Sequence, residues 1–144
     1  GYSGHKGRAD GFLERMEERG FSRADCRVAE THDDYDETLA AVTAALAEEP
    51  DLKYIYMANR SVPACMEALR RSGRMGQVRV LAHDSGPETE AFLREGLLDF
   101  VIDQNLAYQS RKALELLFDA VVEHRDPERD SFYPESPILT AENC

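Results

Sequence analysis

The chain lacks any long hydrophobic run: no apolar stretch in its 144 residues approaches the roughly 18 needed to cross a bilayer. Its start, Gly1-Tyr2-Ser3-Gly4-His5-Lys6-Gly7, holds no apolar leader core, so a soluble chain without membrane contact is expected. Cysteine is scarce. Cys26, Cys65 and Cys144 are odd in number and widely spaced, which argues against a disulfide framework; Cys26 and Cys65, each in an apolar pattern, are expected as small buried thiols, which points to a reducing compartment, the cytoplasm. Positive charge is in deficit: 17 Lys and Arg against 28 Asp and Glu leave a net charge of -11, which repels phosphate backbones. Any nucleic-acid contact would come from a segment other than this one. Internal repeats and low-complexity tracts are missing too, and a length of 144 residues suits one domain.

Catalytic signatures are equally sparse. The Gly-rich start lacks both the Gly-Lys-Ser/Thr ending of a P-loop and the Gly-x-Gly-x-x-Gly of a dinucleotide site. No Gly-x-Ser-x-Gly elbow surrounds Ser61 or Ser85. The His32-Asp33-Asp34 cluster is too compact for a defined metal site and reads as a loop with a helix cap. Neither metal nor cofactor is expected, and the chain is not read as an enzyme. Asp84 is the one residue on which a small α/β hydrolase or phosphotransferase would turn, but no second carboxylate joins it at an evident strand end.

What is present is alternation of helical and strand periods. A helix over about 7–19 carries Phe12, Leu13 and Met16 on one face and stops at Gly20; Arg27-Val28-Ala29 is a short strand candidate. Asp33 or Asp34 caps a helix bearing Leu39, Val42, Ala45 and Leu46, ended by Glu49-Pro50-Asp51. Then follow a strand at 53–58, a helix at 61–72 ending at Gly73, a strand at 77–83, a helix opened by Gly86-Pro87, and a strand near 99–103. The longest helix, about 106–124, precedes a charged loop from His124 to Asp130 and a strand-like Pro137-Ile138-Leu139-Thr140-Ala141. Strands separated by helix-length segments imply parallel crossovers. The fold class is therefore α/β, an open, mostly parallel sheet with helices on both faces.

Three strands stop at a single polar residue: Tyr54-Ile55-Tyr56-Met57-Ala58 at Asn59, Val78 to His83 at Asp84, and Phe100-Val101-Ile102-Asp103 at Gln104. In an open parallel sheet these positions share the carboxyl edge, where ligands bind. Two amides and a carboxylate suit a neutral polyhydroxylated molecule better than an ion.

Six short motifs in register then resemble one family. Arg8-Ala9-Asp10-Gly11-Phe12, Pro50-Asp51 with the strand ending at Asn59, Val80-Leu81-Ala82-His83-Asp84, Leu93-Arg94-Glu95-Gly96, Val101-Ile102-Asp103-Gln104 and Thr140-Ala141-Glu142-Asn143 are similar to the effector-binding domains of lactose-repressor-type regulators and of periplasmic sugar-binding proteins. The resemblance implies that Arg8, Asn59, Asp84 and Gln104 line the ligand cleft of a carboxy-terminal lobe in a periplasmic-binding-protein type 1-like fold. It implies a lobe at 1–104, a crossover helix, loop and terminal strand at 105–144, and an amino-terminal lobe and DNA-binding headpiece before Gly1. The leading expectation is the effector-sensing part of a cytoplasmic, dimeric transcription regulator that meets DNA only through that headpiece and takes a carbohydrate-like effector. The alternative is the solute-binding protein of a sugar ABC transporter.

Departures from the pattern single out three more positions. Arg60 stands where the family usually has Asp, and is expected to meet an acidic neighbour or an anionic effector. His83 replaces an aromatic or small residue, and is expected to pack or to face the ligand. Ser110 replaces a glycine on the crossover helix, whose apolar face, Ala113, Leu114, Leu117, Phe118 and Val121, would lack its family partner and either fold back on its own lobe or pair with a second copy.

Overall fold

The computed structural model describes residues 3–126 and 134–144, so most of the charged loop between His124 and Asp130 lies outside the described residues. The chain runs α1 (Ser3–Glu18), a one-turn 3-10 helix (Arg23–Asp25), α2 (Tyr35–Glu48), β1 (Tyr54–Met57), α3 (Val62–Arg71), β2 (Arg79–His83), α4 (Pro87–Arg94), β3 (Phe100–Ile102), α5 (Leu106–Val121) and β4 (Ile138–Leu139). The sheet order is β1-β2-β3-β4. The first three strands are parallel, with Tyr56 opposite Leu81 and Ala82 opposite Val101, and β4 adds antiparallel to β3.

Local chemistry sets the boundaries. Asp34 takes the N–H of Glu37 at 2.8 Å and caps α2. Proline near the first turn opens both α3 and α4, and glycines at positive φ, Gly20 and Gly73, follow α1 and α3.

Strand alternation decides which helix covers which face. Met57 on β1 and Val80 and Ala82 on β2 point into a core with Val42 and Leu46 of α2, Cys65 and Leu69 of α3, and Leu93 of α4. Tyr56 and His83 point the other way, and there Phe12 of α1 stacks on Tyr56 with ring centroids 4.5 Å apart. Helices thus cover both faces of the sheet, and the architecture is α/β as the periodicity predicts.

One expectation fails, and another loses the first of its two branches. Arg27-Val28-Ala29 forms no strand: Val28 is 57% exposed, and Arg27 pairs with Glu48 at the end of α2 instead of entering a ladder. A three-residue run has too little apolar surface to secure a sheet position by itself. Nor does α5 fold back on its lobe. Leu114, Leu117, Phe118 and Val121 are 54–67% exposed, and the helix has no buried residue.

Candidate functional site

The carboxyl ends of β1, β2 and β3 lead to Asn59, Asp84 and Gln104, and α1 lays Arg8 across them. Asp84 adopts φ +68, a conformation that Asp tolerates better than most residues, while its N–H still donates to the carbonyl of Ile102 at 3.0 Å. Its carboxylate therefore leaves the ladder and turns to Arg8. The Arg8 guanidinium donates to both carboxylate oxygens, at 2.9 and 3.2 Å, and to the carbonyl of Ala58 at 3.0 Å. The side-chain amide of Gln104 donates to the same carboxylate.

Burial pushes the Asp84 carboxyl up, but the hydrogen bonds from Arg8 and Gln104, with the Arg8 charge, outweigh it and hold the group below its ordinary value. Asp84 is therefore an acceptor fixed in its ionised form at neutral pH.

Gly4, His5, Arg8, Asp33, Arg60, Asp84 and Gln104 line a concavity of about 380 Å³. Arg8, Asp84 and Gln104 meet there. Asn59 does not line it: its Nδ2 donates to Thr31 Oγ1 at 3.2 Å, and its Oδ1 accepts from the Ser61 N–H at 3.2 Å. The buried hydroxyls of Thr31 and Thr38 extend that network, with Thr38 donating to Thr31 at 2.8 Å.

His83 is buried and does not line the concavity. Its Nε2 shares a 2.5 Å hydrogen bond with the Tyr56 hydroxyl, and the two rings meet edge to face. Burial, then the charges of Arg8 and His5, against the opposing pull of Asp84, push the His83 pKa down to about 4. Burial raises the Tyr56 hydroxyl, with Arg8 opposing. The pair is neutral at pH 7, a polar bolt beneath the ionic layer.

Arg60 does line the concavity, but its contact with Asp33 is a backbone one: Asp33 Oδ1 accepts the Arg60 main-chain N–H at 2.8 Å, and among the described residues the Arg60 guanidinium makes no ion pair. Sequence reasoning missed Asp33, treating it as interchangeable with the capping Asp34. It also missed His5 and the Tyr56 support. Of the five described non-glycine residues with positive φ, Asp33 and Asp84 line the concavity, while His32 and Asn105 flank lining residues. Such backbone concentrates where a fold over-determines a functional geometry.

The chain belongs to the family of periplasmic binding protein domains, whose sequence profile matches residues 1–124. A D-ribose/D-allose-binding protein of Pseudomonas aeruginosa is 34% identical over 90 residues, covering 59% of this chain and 28% of that protein. Among solved structures, an ABC-transporter periplasmic solute-binding protein from Actinobacillus succinogenes with bound D-allose superposes with a TM-score of 0.71 at 20% identity, over 78% of this chain and 39% of that one. A solute-binding protein from Agrobacterium vitis with bound alpha-D-tagatopyranose gives 0.73 at 19% identity, over 82% and 39%. The chain thus spans less than half of the relatives it matches.

These relatives overturn the leading expectation. One is a sugar-binding protein and the two solved structures are solute-binding proteins of ABC transporters, and neither a lactose-repressor-type transcription regulator nor a cytoplasmic location is supported; the DNA partner expected through a headpiece falls with the regulator. The regulator and the solute-binding protein resemble each other over the lobe on which the expectation rested. The choice between them had leaned on unpaired cysteines and on the residues at the start, which the lobe itself does not constrain.

Proposed function

We propose that this chain is the sugar-contacting lobe of an extracytoplasmic solute-binding protein, delivering a neutral monosaccharide to an ABC transporter. The observation that carries this reading is the Arg8–Asp84–Gln104 constellation. The donor and acceptor inventory shows why. Asp84 Oδ1 already accepts from Arg8 and Gln104, whereas Oδ2 takes a single bond and keeps a lone pair. One Arg8 nitrogen spends both protons on Asp84 and Ala58, while the other keeps one. Free donor and free acceptor therefore stand side by side, the pattern a pair of adjacent hydroxyls completes.

A carboxylate locked in ionised form between two donors is a poor proton shuttle, which supports binding over catalysis at Asp84. The ligands named for the relatives, ribose, allose and tagatose, belong to the class that this inventory fits. Closure of a second lobe over the sugar would shift the protein toward the form its transporter recognises.

The test is a thermal-shift and calorimetric panel of D-ribose, D-allose and D-tagatose on the full-length protein. A sugar at about 100 times its Kd is expected to stabilise by about 2.7 kcal/mol. Asp84→Ala removes a charge-assisted hydrogen bond worth about 1.5–3 kcal/mol, so affinity falls about 10- to 100-fold, and Gln104→Ala a neutral one worth about 0.5–1.5 kcal/mol, so affinity falls about 2- to 10-fold. Equal sugar-induced shifts in wild type and both variants would overturn the assignment.

A further inference from the structure

Asp33 stands out from the other acids near the site. The chain reaches it through two successive left-handed residues, His32 at φ +50 and Asp33 at φ +63, so its carboxylate leaves the path toward α2 and enters the wall of the concavity. Its neighbour Asp34 caps α2, which leaves Asp33 without a capping duty. One oxygen of Asp33 is held by the Arg60 N–H at 2.8 Å. Among the described residues, no group meets the other oxygen. The concavity therefore offers two carboxylates: Asp84, largely consumed by Arg8 and Gln104, and Asp33, anchored by a backbone donor with one oxygen unused.

The charges decide what such a site accepts. The side chains of Arg8, Arg60, Asp33 and Asp84 place two cations and two anions in the lining, a local balance in a chain whose net charge is -11. A balanced wall with open acceptors attracts hydroxyl donors and gives an added anion no net field. We propose that Asp33 is a second ligand-reading carboxylate, which selects among neutral sugars by accepting from a hydroxyl other than the one Asp84 takes. This rests on the sugar-binding reading above and adds to it a specificity-determining position. A bound hydroxyl left unpaired is discriminated strongly, so the position separates sugars that differ at one carbon.

Two substitutions test Asp33 without breaking its loop. Asp33→Asn keeps an oxygen for the Arg60 N–H and a side chain at ease in left-handed backbone, but exchanges the free acceptor for a donor; Asp33→Gly keeps only the backbone freedom. Asp34→Ala serves as the control, since it costs α2 its cap and leaves the concavity untouched. The probe is whichever of D-ribose, D-allose and D-tagatose binds wild type in calorimetry, together with its monodeoxy derivatives. Asp33→Asn is expected to weaken binding by about tenfold or more while the sugar-free Tm stays near wild type. One deoxy derivative that wild type binds more weakly than the parent sugar is expected to match the parent in Asp33→Asn. Wild-type affinity in both Asp33 variants, or a loss shared equally by every deoxy derivative, overturns the proposal. Wild type that binds none of the three sugars overturns the underlying reading, and that result appears before any variant is made.

Discussion

Helices α3 and α5 carry comparable apolar stripes, yet α3 buries six of its ten residues and α5, at sixteen residues, buries none. In α3, Val62, Cys65 and Leu69 are sealed between the sheet and α2. In α5, a cap at Asn105 and i,i+4 and i,i+3 pairing of Arg111 and Lys112 with Glu115 sustain a helix whose apolar side chains face outward. The difference teaches that a periodic stripe specifies a helix and the direction of its apolar face, and says nothing about what that face meets. Stability in this chain is concentrated where strand and helix stripes coincide.

The contrast can be broken most forcefully at Leu69. Leu69→Ala is expected to cost about 3 kcal/mol in urea unfolding, because it opens a cavity at a fully buried core position. A loss under 1 kcal/mol would mean that the α2–α3 layer is not the stabilising one.

The next largest effect lies on the opposite face of the sheet, at the His83–Tyr56 bond. The folded-state pKa of His83, about 4, is below its ordinary 6.5, so between these values the unfolded chain holds the extra proton. Its contribution is complete above pH 6.5 and is lost as pH falls toward 4, on the order of 2 kcal/mol in all. Asp84, also depressed, adds acid sensitivity only below its ordinary value of 3.8. Stability measured from pH 7 to pH 4 should decline in wild type and flatten in His83→Gln; parallel curves would remove His83 as the cause.

The smallest effect is expected at Leu117, 59% exposed on α5. Leu117→Lys in this 144-residue chain should change stability by no more than about 0.5 kcal/mol. A cost rivalling that of Leu69→Ala would show that the outward face of α5 is covered.

Much of the fold was legible because its signals are local. Gly20 and Gly73 stop α1 and α3, prolines start α3 and α4, and short apolar runs between helix-length segments leave few alternatives to a parallel sheet. Arg27-Val28-Ala29 misled because joining a sheet depends on a neighbour, which composition does not reveal. At the concavity, the topological rule that strand ends share one edge brings Asp84 and Gln104 together, and Arg8 reaches them from α1. The fate of Asn59 was illegible, since its amide is drawn to Thr31, 28 residues away. Asp33 and Asp34 are identical neighbours whose duties differ only through backbone φ, a property no side-chain pattern displays.

Phe12 lies one helical turn beyond Arg8, on the same side of α1. Its flat seating on Tyr56 works as an indexing pin: it sets the roll of the helix and hence the heading of the guanidinium. If the concavity takes a sugar as proposed, a change at Phe12 retunes its affinity from outside the lining, so the setting of ligand strength extends into the aromatic layer.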